Sequence, residues 1–320
     1  MHVYIPTLTD YILEEQRRSK KPTTGSFSIL LHQIENAAKI IASHVKATGL
    51  VDLLGRTGDI NTFGEEVQKL DAFSNTVLRD LLLSSGEVFA IVSEEEEKPI
   101  YAPKKYAGEY IIYFDPLDGS SNIDIQCPIG TIFSIYKKTD GLLQPGTKQI
   151  AAGYILYGSS VMFVYSSGQG VQGFTLDPAV GNFVLSHKNI TIPQEGIIYS
   201  INEGYEKYFL PETKKYLTSI KSSGKAKGRY IGSLVADAHR TLLKGGIFLY
   251  PADKKQERGK LRLMIEVNPI AFLVEQAGGL AIGENLTSPL QTVPKHIHER
   301  SPFVMGSKKN IKEYVKFFKK

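Results

Sequence analysis

Tyr110-Ile111-Ile112-Tyr113-Phe114-Asp115-Pro116-Leu117-Asp118-Gly119-Ser120-Ser121 is the stretch on which the reading of this chain turns. Its first five residues, β-branched and aromatic, read as a strand. The strand runs into a carboxylate, a proline-fixed turn and a second carboxylate three residues on, so Asp115 and Asp118 can aim at one point. Hard oxygen ligands with room for water and phosphate are what Mg²⁺ binds, and the Leu117 carbonyl inside the turn is a further candidate ligand. Gly119 lets the backbone approach closely, and the N–H groups of Gly119, Ser120 and Ser121 can form an anion nest. An ordinary Asx-turn would account for Asp-Pro alone, but not for the whole string.

On either side of this string the periodicity predicts both helices and strands. Ser28 to Val45 carries Leu31, Ile34, Ala38, Ile41 and Val45 at helical spacing, with Thr24, Ser26 and Ser28 as candidate N-caps. Val51 to Glu66 is a Gly-punctuated loop, a candidate mobile lid, and Val67 to Leu83 reads as a second helix. Strands are expected at Val88–Val92, Tyr110–Phe114, Thr131–Lys137, Ala151–Tyr157 and Val161–Tyr165. Beyond Pro193 follow strand Ile197–Ile201, helices Pro211–Lys221 and Ser233–Lys244, and strand Gly246–Tyr250. Helices Pro269–Ala277 and Lys309–Phe318 close the chain. An α/β or α+β layered sandwich is the economical fold for such a mixture, divided near Pro193 into residues 1–193 and 194–320.

Composition narrows the class of function. The 320 residues suffice for one large domain or two ordinary ones, and 42% hydrophobic with 22% charged residues is the balance of a soluble globular protein. No apolar run approaches the ~20 residues of a membrane span. Met1 to Asp10 lacks the layout of a signal peptide, so a cytoplasmic protein is expected. The single cysteine, Cys127, excludes an internal disulfide and a four-thiolate zinc site, and reads as a buried small hydrophobe. The net charge of +5 hides a split: 16 Lys+Arg against 21 Asp+Glu over residues 1–193, but 22 against 12 beyond. The acidic half suits cations and the basic half suits anions such as phosphate. The basic residues are scattered and no nucleic-acid-binding pattern occurs.

Further carboxylates stand at the ends of apolar stretches. Glu94 and Glu95 close Val88–Val92, while Glu96 and Glu97 read as solvated. Glu266 follows Leu261–Ile265. Asp71 falls at the margin of its helix's apolar face, where an ionised group needs a partner: a metal-bound water, or Lys69 or Arg79. Together these acids can form a multi-metal site that neutralises charge on a phosphoryl group and acidifies a bound water, with a neighbouring carboxylate taking the proton. No Walker A, dinucleotide or nucleophile-elbow string competes with that chemistry. In the basic half, Lys260 and Arg262 alternate on a candidate strand, six positions or fewer from Glu266, so that cations and a carboxylate can converge on one phosphate. Asn202, Tyr205, Arg229, Tyr230 and Tyr250 are polar groups in apolar surroundings, suited to phosphate oxygens and sugar hydroxyls.

At this point the residues match a known pattern. The chain resembles class I fructose-1,6-bisphosphatase, within the lithium-sensitive, inositol-monophosphatase-like phosphatase superfamily. The blocks that carry the resemblance are Lys69–Asn75, Val92–Glu95, Phe114–Asp124, Asn202–Tyr205, Arg229–Ser233, Val235–Arg240, Gly246–Lys255 and Gly259–Leu263, over roughly residues 23–320. The resemblance implies a layered α/β/α/β/α sandwich with two related halves. It implies that Glu94, Asp115, the Leu117 carbonyl, Asp118 and Glu266 bind two or three Mg²⁺ ions, with Mn²⁺ an alternative and Glu65 helping a further ion. Glu95 with Asp71 would activate the attacking water. Asp118, Gly119, Ser120 and Ser121 would hold the phosphate being removed. Asn202, Tyr205, Tyr230, Tyr250 and Lys260 would hold the other phosphate and the sugar. Arg229 would reach the site of a neighbouring subunit, which implies a homotetramer. The reaction implied is hydrolysis of D-fructose 1,6-bisphosphate to fructose 6-phosphate and phosphate, a step of gluconeogenesis.

The sequence departs from the AMP-inhibited members of that family. Their Thr-Gly-Glu-x-Thr run is Thr24-Gly25-Ser26-Phe27-Ser28 here, a Lys-Tyr pair is Glu109-Tyr110, and an arginine is replaced by Lys137. Weak or absent AMP inhibition is therefore expected. The cysteine-rich insertion of light-regulated plastid members is missing, which argues against thioredoxin control. A sedoheptulose-1,7-bisphosphatase or dual-specificity bisphosphatase is the nearest alternative. A non-catalytic sugar-phosphate sensor is a further one, against which the retained acids argue.

Overall fold

A strand buried on both faces must be apolar at every position, and Tyr110–Phe114 is such a run because layers cover both sides of its sheet. The structure, a computed structural model, describes residues 5–18, 25–47, 56–60 and 66–319. Helices α1 (Leu8–Arg18), α2 (Ser26–Lys46) and α3 (Lys69–Ser84) form the first layer. Between α2 and α3, β1 (Arg56–Ile60) and β2 (Glu66–Gln68) pair antiparallel. That hairpin replaces part of the loop expected over 51–66, whose other residues lie outside the described ones.

The second layer is a sheet of β3 (Val88–Ser93), β4 (Ile100–Tyr101), β5 (Tyr110–Asp118), β6 (Ile129–Lys137), β7 (Ala151–Tyr157), β8 (Val161–Ser166), β9 (Val171–Asp177) and β10 (Asn182–Ile190). Its order is β10-β9-β8-β7-β6-β5-β3-β4, antiparallel except for the parallel pair β3 and β5. One face packs Tyr110, Ile112, Phe114, Phe133 and Phe163 against Leu31, Ile34, Leu78 and Leu82 of the helices. Phe133 and Phe163 stack at 5.6 Å, and truncating either to alanine should cost about 3–5 kcal/mol.

The other face packs Ile132, Tyr154 and Val164 against the third layer, α5 (Leu234–Lys244) and α6 (Asn268–Gln276), which follows α4 (Pro211–Ser222) in the chain. Across those helices lies a second sheet of β11 (Ile198–Ser200), β12 (Lys227–Gly228), β13 (Ile247–Tyr250), β15 (Leu280–Ile282) and β17 (Phe303–Gly306). The short strands β14 (Leu261–Arg262) and β16 (Arg300–Ser301) pair separately. In β13 the pleat sends Phe248 inward to α5 and α6, and Ile247 and Leu249 outward to Tyr216, Leu217, Ile311 and Tyr314 of α4 and α7 (Lys308–Lys316). The result is the layered α/β/α/β/α sandwich.

Two local expectations are corrected, and one helix is added. Gly25, in a left-handed conformation, is the N-cap of α2, so Ser26 and Ser28 lie within the helix rather than capping it; Thr24 lies outside the described residues. Helix α1 was not legible from apolar spacing. It starts where Thr7 and Asp10 hydrogen-bond reciprocally, Thr7 N–H to Asp10 Oδ2 at 2.9 Å and Asp10 N–H to Thr7 Oγ at 3.2 Å. Cys127 is exposed, because it lies on a loop outside the sheet rather than within the core.

Candidate active site

Two parallel neighbouring strands end at the same edge, and this brings the first acids together. Ser93 of β3 lies opposite Phe114 of β5, and the Glu94 N–H continues the ladder to the Phe114 carbonyl at 3.0 Å. Glu94 and Asp115 thus stand side by side. The strand does not stop at Phe114 as expected: β5 continues to Asp118 through a bulge, Asp115 pairing with Ile132 and Asp118 with Gly130. Pro116, which has no N–H to offer a ladder, is tolerated at such a bulge. Its carbonyl accepts from Thr131 Oγ at 2.8 Å, and Asp115 Oδ1 accepts from Leu117 N–H at 2.9 Å. Gly119 follows at φ +86°, then helical backbone through Ser120–Asn122, the αL–αR sequence of an anion nest.

Glu266 arrives from the other half of the chain on a π-helical turn, Leu263–Val267, whose wide rings are uncommon and recur at functional sites. The turn is wedged under β5 by Met264 and Ile265, which pack on Ile111 and Tyr113. Carboxylate oxygens of Asp115, Asp118 and Glu266 lie within 4.8 Å of one another. Arg262 is buried beside them, paired with Glu94, and its Nη1 lies 3.8 Å from Glu266 Oε2. Lys260 and Arg262 both line the cleft, as expected, but Lys260 is exposed whereas Arg262 is buried and pairs with a carboxylate.

The electrostatics follow from burial. Desolvation first, then repulsion from Glu94, Asp118, Glu266 and Asp71, pushes the Asp115 carboxyl well above its ordinary value. Burial raises Glu94 likewise, opposed by Arg262 and reinforced by Glu95 and Glu266. Glu266 is pushed up by burial to about 7, with Arg262 opposing. Asp118 is raised least freely, because donors at the start of α5 favour its charged form: Ser233 Oγ–H at 2.6 Å and Val235 N–H at 2.8 Å. Among the described residues, four crowded acids are opposed by the paired Arg262 and, at Glu266, by Lys260, and hard oxygen donors in that arrangement fit divalent cations.

Asp71, in the first turn of α3, is buried and near enough to Asp115 to act on its ionisation, while Arg79, one of its two candidate structural partners, pairs with Asp80. Glu95 is half-buried and acts electrostatically on Glu94. Its turn is held by a network that sequence reasoning missed. Asn75, one helical turn after Asp71, accepts from Ser93 Oγ at 2.7 Å and donates to Glu96 Oε1 at 2.9 Å, so Glu96 is not simply solvated. A cleft of about 760 Å³ joins the acids to Gly119, Ser120 and Ser121, and to Asn202, Tyr205, Tyr230, Tyr250 and Lys260. Burial holds the Tyr230 and Tyr250 phenols at about 12, so both remain O–H donors at neutral pH. Arg229 is exposed and does not line the cleft, its Nη1 donating to the Gly228 carbonyl at 2.8 Å. Glu65 lies outside the described residues.

Two family models match nearly the whole chain: the fructose-1,6-bisphosphatase N-terminal domain over residues 6–188 and the C-terminal domain over 192–319. The chain belongs to the class I fructose-1,6-bisphosphatases. Among this family, the class 1 enzyme of Persephonella marina is 52% identical over 97% of each chain. The cytosolic fructose-1,6-bisphosphatase of Brassica napus is 50% identical, covering 96% of this chain and 93% of its own. The crystal structure of Leishmania major fructose-1,6-bisphosphatase in holo form superposes with a TM-score of 0.94 at 40% identity, covering 99% of this chain and 100% of the other. Among the described residues of this fructose-1,6-bisphosphatase family member, no helix is long and apolar enough to cross a membrane.

Proposed function

We propose that the chain hydrolyses the 1-phosphate of D-fructose 1,6-bisphosphate, giving fructose 6-phosphate and inorganic phosphate in gluconeogenesis. The observation that carries this reading is the meeting of carboxylates from both halves of the chain beside the Gly119 nest, in one cleft with donors for a second phosphate. Glu94, Asp115, Asp118, Glu266 and the Leu117 carbonyl would hold Mg²⁺, and Glu65 would assist a further ion. When bound, such cations neutralise charge that develops on the phosphoryl oxygens and acidify water.

The residues of the chain do the rest. Glu95, together with Asp71, orients the attacking water and takes its proton as the new P–O bond forms. The N–H groups of Gly119, Ser120 and Ser121 cradle the phosphoryl group whose bond to the sugar oxygen breaks, and that oxygen leaves as an alcohol after gaining a proton. Asn202, Tyr205, Tyr230, Tyr250 and Lys260 grip the distal phosphate and the sugar, which aligns the scissile bond. Arg262 keeps Glu94 and Glu266 together. Residues 1–193 act as the metal-bearing and regulatory domain and 194–320 as the sugar-phosphate domain. The working form is a cytoplasmic homotetramer in which Arg229 completes a neighbour's site.

AMP control is weak or absent on this reading. Glu109, with its carboxyl held below the ordinary value by Lys138, keeps a negative charge where an anionic effector would bind. Lys137 lies over the Tyr110 ring at 4.1 Å.

Phosphorus NMR of the purified protein with Mg²⁺ and fructose 1,6-bisphosphate tests the assignment. Loss of the 1-phosphate signal alone, with fructose 6-phosphate accumulating, is expected. Absence of turnover, or faster turnover of sedoheptulose 1,7-bisphosphate, would replace it with the sensor or the heptulose reading.

A further inference from the structure

Asp237 is a buried carboxylate that the mechanism leaves unused. None of its surface is exposed, and it is not one of the clustered acids. A charge so placed is stable only if donors or a counter-charge converge on it; donors come from two separate elements and the counter-charge from its own helix. Ser200 Oγ–H, at the end of β11, donates to Oδ1 at 2.6 Å. Ile231 N–H and Gly232 N–H each donate to Oδ2 at 3.1 Å. Arg240 Nη1, one turn along α5, adds an ion pair at 2.8 Å from Oδ1 without a hydrogen bond.

These donors bracket the distal end of the cleft. Ser200 is two residues before Asn202, and Ile231 directly follows Tyr230. Asn202 and Tyr230 both line that end of the cleft. The loop between has a reason to need holding: Gly232 sits at φ +89°, and Arg229 and Tyr230 stand partly in solvent. We propose that Asp237 is a positioning residue that ties the 229–233 loop to the end of β11 and so sets Tyr230 against Asn202 to receive the distal phosphate. This rests on the reading of Asn202 and Tyr230 given under the proposed function.

The two ends of the substrate can be probed separately, with fructose 6-phosphate for the distal end and inorganic phosphate for the Gly119 cradle. Inhibition constants for both are measured in Asp237→Ala, Asp237→Asn and Ser200→Ala, each first checked for a cooperative melt. Asp237→Ala is expected to raise the fructose 6-phosphate constant about tenfold, as for loss of hydrogen bonds to a charged group, and the phosphate constant less than about twofold. Asp237→Asn should recover only part of the loss, because its oxygen can still accept from Ile231 and Gly232 while its amide, turned to Ser200, faces Arg240 without pairing with it. Ser200→Ala should raise the fructose 6-phosphate constant several-fold, and it carries the test alone if Asp237→Ala does not fold. A fold loosened throughout would weaken both ligands together. That result, or an unchanged fructose 6-phosphate constant in Ser200→Ala and Asp237→Ala, overturns the proposal. Tyr230→Phe separates the layers: no effect there, with a rise in Asp237→Ala, removes Tyr230 as a phosphate ligand and keeps the tether.

Discussion

Stripping divalent cations with a chelator is expected to destabilise the protein by an amount that grows with pH. The crowded acids set the size of the effect. Glu266 ionises near 4.5 in an unfolded chain and near 7 in the folded one, so the folded state holds its proton more tightly. Its contribution is fully present below about 4.5 and is lost as pH rises through about 7. At about 1.4 kcal/mol for each tenfold difference in proton affinity, that loss is about 3 kcal/mol from Glu266 alone. Glu94, Asp115 and Asp118 are raised in the same direction and deepen it. Bound cations would remove the repulsion, and they bind better as the acids deprotonate. For a chain of this size roughly 2 °C accompanies each kcal/mol, so about 6 °C or more is at stake. Thermal melts with Mg²⁺ and with chelator, at several values from mildly acidic to pH ~8, measure the gap directly, and pH effects from elsewhere in the chain cancel in the difference. The gap should be small in acid and widest in base. A gap that stays constant or narrows as pH rises would refute the account of the acids.

Glu95→Gln should lower kcat by ~10²-fold or more with modest change in KM, measured by steady-state phosphate release; unchanged kcat would mean the base is misassigned. Gly119→Ala puts a Cβ 2.7 Å from Ser233 Cβ at φ +86°, so it should cost about 1–2 kcal/mol in backbone strain alone, plus a weaker grip on phosphate. A melting temperature and phosphate affinity equal to wild type would count against the nest. Activity titrated with AMP should show no inhibition at micromolar concentrations, and clear micromolar inhibition would show that Glu109 does not exclude the nucleotide.

The candidate site was legible where its chemistry is contiguous and obscure where it depends on pairing. The Asp115–Ser121 string announces oxygen ligands and an anion nest by itself. Nothing in the spacing says that β3 runs parallel to β5, which is what sets Glu94 beside Asp115. Alternation along the two residues of β14 placed Arg262 in the cleft but could not show that it pairs with Glu94, which comes from the other half of the chain. Ser233 caps α5, and only folding brings Asp118 to its hydroxyl. Similar physics governs the fold. Helices with wide apolar faces, such as α2 and α3, were recovered nearly to their ends. Strand β10 escaped, being a half-exposed edge strand with few apolar residues, and α1 escaped because little beyond Leu8 and Ile12 of it is buried.

Crystals grown with Mn²⁺, fructose 6-phosphate and phosphate, measured for anomalous scattering, test the convergence of the acids most directly. Manganese peaks bounded by Glu94, Asp115, Asp118 and Glu266, next to phosphate on Gly119–Ser121, are the predicted result. Phosphate in the cleft with manganese scattering only elsewhere on the molecule would contradict it.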